Sequence, residues 1–262
     1  MTTDIMTPPR AARVPMTRER RFFLVLALSM VAVNVLGFSV QFAFGRSSFH
    51  APALVHAHAL LFMGWVGFFA VQTTLGARGS LALHRRLGWV GAGWAIAMVV
   101  VGTVTTVVMV REGRAPFFFT PGYFLPMNVL GVVSFALLLA AAIRLRRRRD
   151  WHPRLVLSAM AGIMGPAVGR LLPMPLLVPW SGQAVMAAIL LFPLTGAIRD
   201  RRRDGRVHPA WWWGMIVIVV TQLAATWLPP TRAGLALYSA VVAGSPGERI
   251  APVAYPAPPP AP

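Results

Sequence analysis

Long apolar runs alternate along the chain with short polar blocks. The runs cover residues Phe22–Phe44, Pro52–Gly76, Leu87–Val110, Gly122–Ile143, Leu155–Leu172, Pro179–Ile198 and Ala210–Leu228. A helix rises ~1.5 Å per residue, so about 20 apolar residues cross the ~30 Å hydrocarbon core of a bilayer. The expected fold is all-α: a polytopic bundle of seven transmembrane helices filling residues 22–228. Residues 1–21 are polar and arginine-bearing and read as a disordered cytoplasmic arm. A signal peptide would have an apolar core of about 7–15 residues ending at a small-residue cleavage site. The first run is longer and shows no such site, so it reads as an uncleaved span. Ala233–Ala243 is too short to cross and is expected to lie in the interface. Residues 229–262 as a whole are proline-rich and read as an external, mostly disordered tail.

Charge orients the bundle. Only 12% of residues are charged, against about 25% in a soluble domain. The net charge of +18 would suit a nucleic-acid binder, but the basic residues sit in short blocks between apolar runs, as the positive-inside rule requires. Nucleic acid is therefore set aside as a partner, and the lipid bilayer takes its place. Nineteen arginines fall in the N-terminal arm and the loops 77–86, 144–154 and 199–206. Five fall on the opposite side (Arg46, Arg111, Arg114, Arg232, Arg249), and Arg170 lies inside a run. The N-terminus is expected in the cytoplasm and the C-terminus outside, in a bacterial inner membrane. Trp151 and Trp211–Trp213 at the inner ends, with Trp180 and Trp227 at the outer ends, fit aromatic belts.

Ionisable groups inside a bilayer are functional-site candidates by default, and the second run carries His56 and His58. Other runs place polar groups at the same outer level: Ser39 and Gln41; Thr103, Thr105 and Thr106; Asn128; Arg170; Gln183, with Met186 one turn deeper; Gln222 and Thr226. Such groups must face the bundle interior or water. One expectation is a polar pocket open to the outer side, with Arg170 as its fixed cation. The alternative is snorkelling by Arg170 and ordinary interhelical hydrogen bonding by the rest. The inner half is expected to be poorer in polar groups.

Two residues apart, His56 and His58 point to opposite sides of a helix and cannot chelate one metal, so no metal site is expected. The His56 face also carries Ala59, Met63, Gly67 and Ala70. Small residues mark helix contacts, so this face is expected inward. The His58 face, with Phe62, Trp65 and Phe69, is expected to meet lipid or a flat ligand. Gly165-Pro166 and Gly165-x-x-x-Gly169 suit close packing with a freed carbonyl, and Pro193 suits a kink. His84, His152 and His208 each precede a span among arginines, where they would cap helices or hold phosphate or lipid headgroups.

Absences narrow the chemistry. All seven carboxylates fall outside the apolar runs, which counts against proton coupling. The chain has no cysteine, which excludes disulfides, thiol catalysis, CxxCH haem attachment and cysteine-ligated zinc. HExxH, P-loop and GxSxG motifs are missing, so hydrolase and ATPase readings have no residues to rest on.

Two stretches carry resemblances. LHRRLGW at 83–89, with DWHPRLVLSAMAGIMGPAVGR at 150–170, resembles a broad group of bacterial multi-pass membrane proteins, which implies the fold and no particular activity. VHAHALLFMGW at 55–65 is similar to the His-Ala-His span of the NnrS family and to a histidine-bearing span of haem-copper oxidase relatives. That resemblance implies b-type haem, with His56 or His58 as axial ligand. The other axial position would then fall to a methionine such as Met186 or stay open, and Arg170 would pair with propionates. Three functions follow: a non-enzymatic accessory or partner-binding membrane module; a haem b or small-ligand binder linked to respiration or nitric-oxide response; a small-anion carrier.

Overall fold

The computed structural model describes residues 16–45 and 51–258. Most of the expected N-terminal arm (residues 1–15), Arg46 and the last four residues lie outside them. The described residues form nine α-helices and two short 3-10 turns, and no strand. The long helices are α1 (Arg18–Ala43), α2 (Ala53–Arg78), α3 (Leu81–Arg111), α4 (Pro121–Arg144), α7 (Ser181–Asp204) and α8 (Pro209–Trp227). These six are long and apolar enough to cross a membrane.

Local chemistry fixes their ends. Thr17 and Thr120 accept from backbone N–H groups in the first turns of α1 and α4, the role for which hydroxyls are favoured at helix starts. His208 does the same for α8 through its ring, followed by Pro209, where proline's missing N–H costs nothing. Gly79 and Gly205 close α2 and α7 at φ of 82° and 72°, the left-handed conformation that glycine adopts without penalty. α1 begins at Arg18, so the last residues of the expected arm are helical.

The fifth expected span is not one helix. It is broken into α5 (His152–Gly162) and α6 (Gly165–Leu171). Proline disfavours helix in the residue before it and donates no hydrogen bond, and Pro166 sits at the second position of α6. Upstream, α5 tightens at its end, with Ile163 N–H to Met160 O and Met164 N–H to Ala161 O.

Packing places the first half of this broken segment, α5, at the centre of the molecule. α1, α2, α3, α4, α8, α7 and α6 touch in that order, and α6 closes the ring against α1. α5 stands inside and packs on α4, α8, α7 and α1. Its interior suits the position: Ala159, Met160 and Ala161 are buried. Ser158 also faces Gly214 on α8 so closely that a Cβ there would overlap its hydroxyl. On α1, a Cβ at Gly37 would strike the Ala167 carbonyl of α6. Small residues thus allow the backbones to approach, the usual basis of helix association in lipid.

The segment expected as a disordered tail is folded. α9 (Arg232–Val242) packs on the ends of α3 and α4, with Tyr238 and Val242 buried beside Val110, Phe124 and Leu125. Beyond it, Pro252 O accepts from Gly122 N–H at 2.7 Å, and Arg111 donates to Val241 O. An 11-residue amphipathic helix cannot span, but its apolar face is large enough to cap a bundle end.

Candidate functional site

α1, α3, α5 and α8 start at one end of the bundle and α2, α4 and α7 return to it. That end carries the loops 77–86, 144–154 and 199–206 and is called the arginine-rich end; the other is the distal end. His58, Arg170 and the remaining expected polar layer sit towards the distal end, but in two separate places.

The first is between α1, α2 and α6. The Arg170 guanidinium lies over the Phe38 ring at 4.3 Å and donates to Pro166 O at 2.7 Å. It is close enough for its charge to act on the His58 imidazole. That imidazole stacks on Phe62, centroids 4.2 Å apart, and Phe62 in turn packs into the space above Gly102 of α3. Two polar atoms here are buried without a hydrogen bond, His58 Nδ1 and Arg170 Nε, as is Thr105 Oγ1 on α3, one turn beyond Gly102. Thr105 is only 6% exposed. Such groups are uncommon because each forfeits its water bonds with no replacement.

The facing of α2 is the reverse of the expectation. Trp65 and Phe69, on the His58 side, are buried, whereas Ala59 and Gly67, on the His56 side, are exposed. The large aromatics supply far more contact than alanine and glycine, and Trp65 makes an edge contact with Phe135 of α4 at 5.2 Å. His56 lies half-buried in the first turn of α2.

The second place is a cavity of about 220 Å³ between α4, α7, α8 and the C-terminal segment. Phe118, Phe119, Tyr123, Gln183, Thr226 and Tyr255 are among its walls, with Pro179, Pro229 and Pro230, and no charged residue lines it. Gln222 stands behind: its amide exchanges hydrogen bonds with Tyr123 Oη at 2.9 and 3.1 Å and donates to Thr226 Oγ1 at 3.3 Å. Burial raises the Tyr255 phenol above its ordinary value, so it remains a neutral hydroxyl. Other members of the expected layer are spent locally. Thr106 donates to Gly102 O and Asn128 to Phe124 O, each within its own helix. Thr103 and Gln41 are half-buried, and Met186 packs on the central core.

The expectation that the inner half is polar-poor is overturned. At the arginine-rich end, Arg154 of α5 grips Asp200 of α7 through two bonds, Nε to Oδ2 at 2.8 Å and Nη2 to Oδ1 at 2.9 Å. Trp211 Nε1 donates to the same carboxylate at 2.9 Å, and Arg154 Nη1 to Asp150 O at 2.7 Å. Arg154 is 3% exposed and Asp200 1%, so one carboxylate does lie within a helix and inside the bundle. Glu19 of α1 adds an outer layer, 3.8 Å from Arg154 and 3.3 Å from Arg203. Beside it, His208 Nδ1 accepts from Ala210 N–H, which leaves the proton on Nε2 to donate to Asp150 Oδ2 at 3.0 Å. His152 and His84 are bonded through Nδ1 to Ala142 O and Gln72 O. Two atoms at this end, Arg199 Nη1 and Gln72 Oε1, are buried without a hydrogen bond.

The cavities described at the distal and arginine-rich ends hold about 220 and 260 Å³. Neither is lined by His56, His58, Met186 or Arg170, and the His58 ring is covered by Phe62. Among the described residues, no group of three or more histidine, aspartate or glutamate side chains could hold a metal. Comparison of the chain with known protein families, with curated proteins and with solved structures finds no match.

Proposed function

We propose that this is a seven-crossing protein of the bacterial cytoplasmic membrane, arginine-rich end in the cytoplasm, that works as a non-enzymatic binding module through its distal cavity. The orientation rests on nineteen arginines against five, and the α5–α6 pair is taken as the fifth crossing, added to the six long helices. One observation carries the binding role: an uncharged cavity, walled by aromatic rings and by the Tyr123–Gln222–Thr226 hydrogen-bond group, in a chain of +18 net charge. Such a wall suits an uncharged ligand or a partner's side chain with an apolar body and one or two polar atoms. Crosslinking tests it. A photo-reactive amino acid at Gln183 should give one discrete adduct in cells, lost when Thr226→Phe fills the cavity. The same broad lipid adducts as from lipid-facing Leu191 would contradict the reading.

A second reading, a small-anion carrier, is favoured by the unpartnered donors Arg170 Nε and Thr105 Oγ1. Chloride or nitrate uptake by proteoliposomes, lost in Arg170→Met, would support it; uptake no greater than in protein-free liposomes would remove it.

A further inference from the structure

At the arginine-rich end, α4 and α8 part and leave a slot floored by α5. Leu137 and Ala141 of α4 with Leu145 just past its end form one wall, Trp213 and Val217 of α8 the other, and Leu155 the floor. The slot faces outward from the ring: Leu137 is 64% and Trp213 58% exposed. From Leu145 to Leu137 is eight residues, a length of ~12 Å at 1.5 Å per residue. The slot holds about 260 Å³, and every residue lining it is apolar.

The mouth of the slot carries the charge. Trp151 lines the slot beside Leu145, and the exposed block 144–149 holds five arginines. Arg146 is engaged elsewhere, over Trp89 at 5.8 Å and donating to Ile143 O. Arg144, Arg147, Arg148 and Arg149 have no protein partner among the described residues. Asp150 is the carboxylate nearest in sequence, and His208 already donates to it. An apolar slot ending beside a block of arginines matches a molecule with an apolar chain and an anionic head.

We propose that this slot holds one acyl chain of an anionic phospholipid, with the lipid phosphate at the arginines of 144–149. Juxtamembrane basic residues attract anionic lipid by ~1 kcal/mol each, about fivefold per residue engaged. The bilayer alone is assumed, so the site is independent of the distal cavity.

Native mass spectrometry of the full chain, titrated with phosphatidylglycerol and with phosphatidylcholine of the same chains, is the test. The intact protein should retain phosphatidylglycerol at least fivefold better. Ala141→Trp, or Val217→Trp from the other wall should the first variant melt early, fills the slot and should lower retention of both lipids. Arg147→Gln with Arg148→Gln and Arg149→Gln should erase the preference and keep chain binding. Inorganic phosphate should not compete; full competition would mean the headgroup binds without the chain. Equal retention of the two lipids by the intact protein would overturn the proposal. So would a lipid-free dimer that Ala141→Trp dissociates, which would assign the slot to a second copy.

Discussion

Two arginines of the broken fifth segment, buried Arg154 and half-buried Arg170, are treated in opposite ways. Arg154, at the arginine-rich end, has a bidentate carboxylate, a backbone carbonyl and an indole donating to the same carboxylate. Arg170, at the distal end, has one carbonyl of its own helix, a phenyl face, and an Nε that bonds to nothing. A buried charge without its partner is costly, whereas a buried pair can come near to balancing its own desolvation. The first arrangement serves to fix helices in place. The second leaves Arg170 Nε without a hydrogen bond.

The largest expected effect follows from breaking the paired side. Asp200→Leu strands the Arg154 guanidinium and should cost about 3–5 kcal/mol, read as thermal unfolding of the purified protein in detergent. Adding Arg154→Met should return most of that loss. A double variant as unstable as the single would mean that packing, rather than charge pairing, ties α5 to α7.

Next in size is the contact that seats α6. Gly37→Val pushes a side chain into the Ala167 carbonyl, and overpacking of this kind costs about 1–3 kcal/mol. The same measurement should find it less harmful than Asp200→Leu. Distal hydrogen bonds are worth less again. Gln222→Leu removes the Tyr123 partner, and interhelical bonds in membranes average about 0.6 kcal/mol, reaching about 1.7. Unfolding midpoints should move by no more than a few degrees, while the Gln183 photo-adduct should weaken.

Smallest is a pH effect at the arginine-rich surface. Burial would raise the Asp150 carboxyl, but the hydrogen bond from His208 and backbone N–H donors outweigh it and hold it below its ordinary value. A carboxyl depressed by folding stabilises above its unfolded pKa, and the gain is lost as pH falls through the folded one. Because Asp150 is 58% exposed, the gain is at most a few tenths of a kcal/mol. The stability gap between the parent and Asp150→Asn should be visible at neutral pH and close as the pH falls below the ordinary carboxylate range. A gap that widened on acidification would contradict the pairing.

How much of this could be read in the sequence depends on the range of the interaction. Length and apolarity marked six of the long helices. The break in the fifth was foreshadowed by Gly165-Pro166, although glycine and proline alone did not say whether the helix would kink or separate. Asp200 was hidden because a carboxylate two residues beyond an apolar run, flanked by arginines, resembles a loop. Only the approach of Arg154, 46 residues earlier, buries it. α9 was legible as too short to cross, but its cap depends on Tyr238 and Val242 meeting α3 and α4. The small-residue rule misjudged α2, because the contacts of Trp65 and Phe69 outweigh the ease with which alanine and glycine pack. Gln183 and Gln222 were visible as a pair at one depth; that they would leave His58 and Arg170 on another side of the bundle was not.

One substitution at two positions tests the central claim. Arg154→Met and Arg170→Met should be compared by unfolding in the same detergent or nanodisc. If the arginine-rich end is bonded for stability and the distal end is left open for a ligand, Arg154→Met loses several kcal/mol. Arg170→Met, which removes an unpartnered charge, should then leave stability unchanged or raised. Equal losses, or a larger loss at Arg170, would contradict the account.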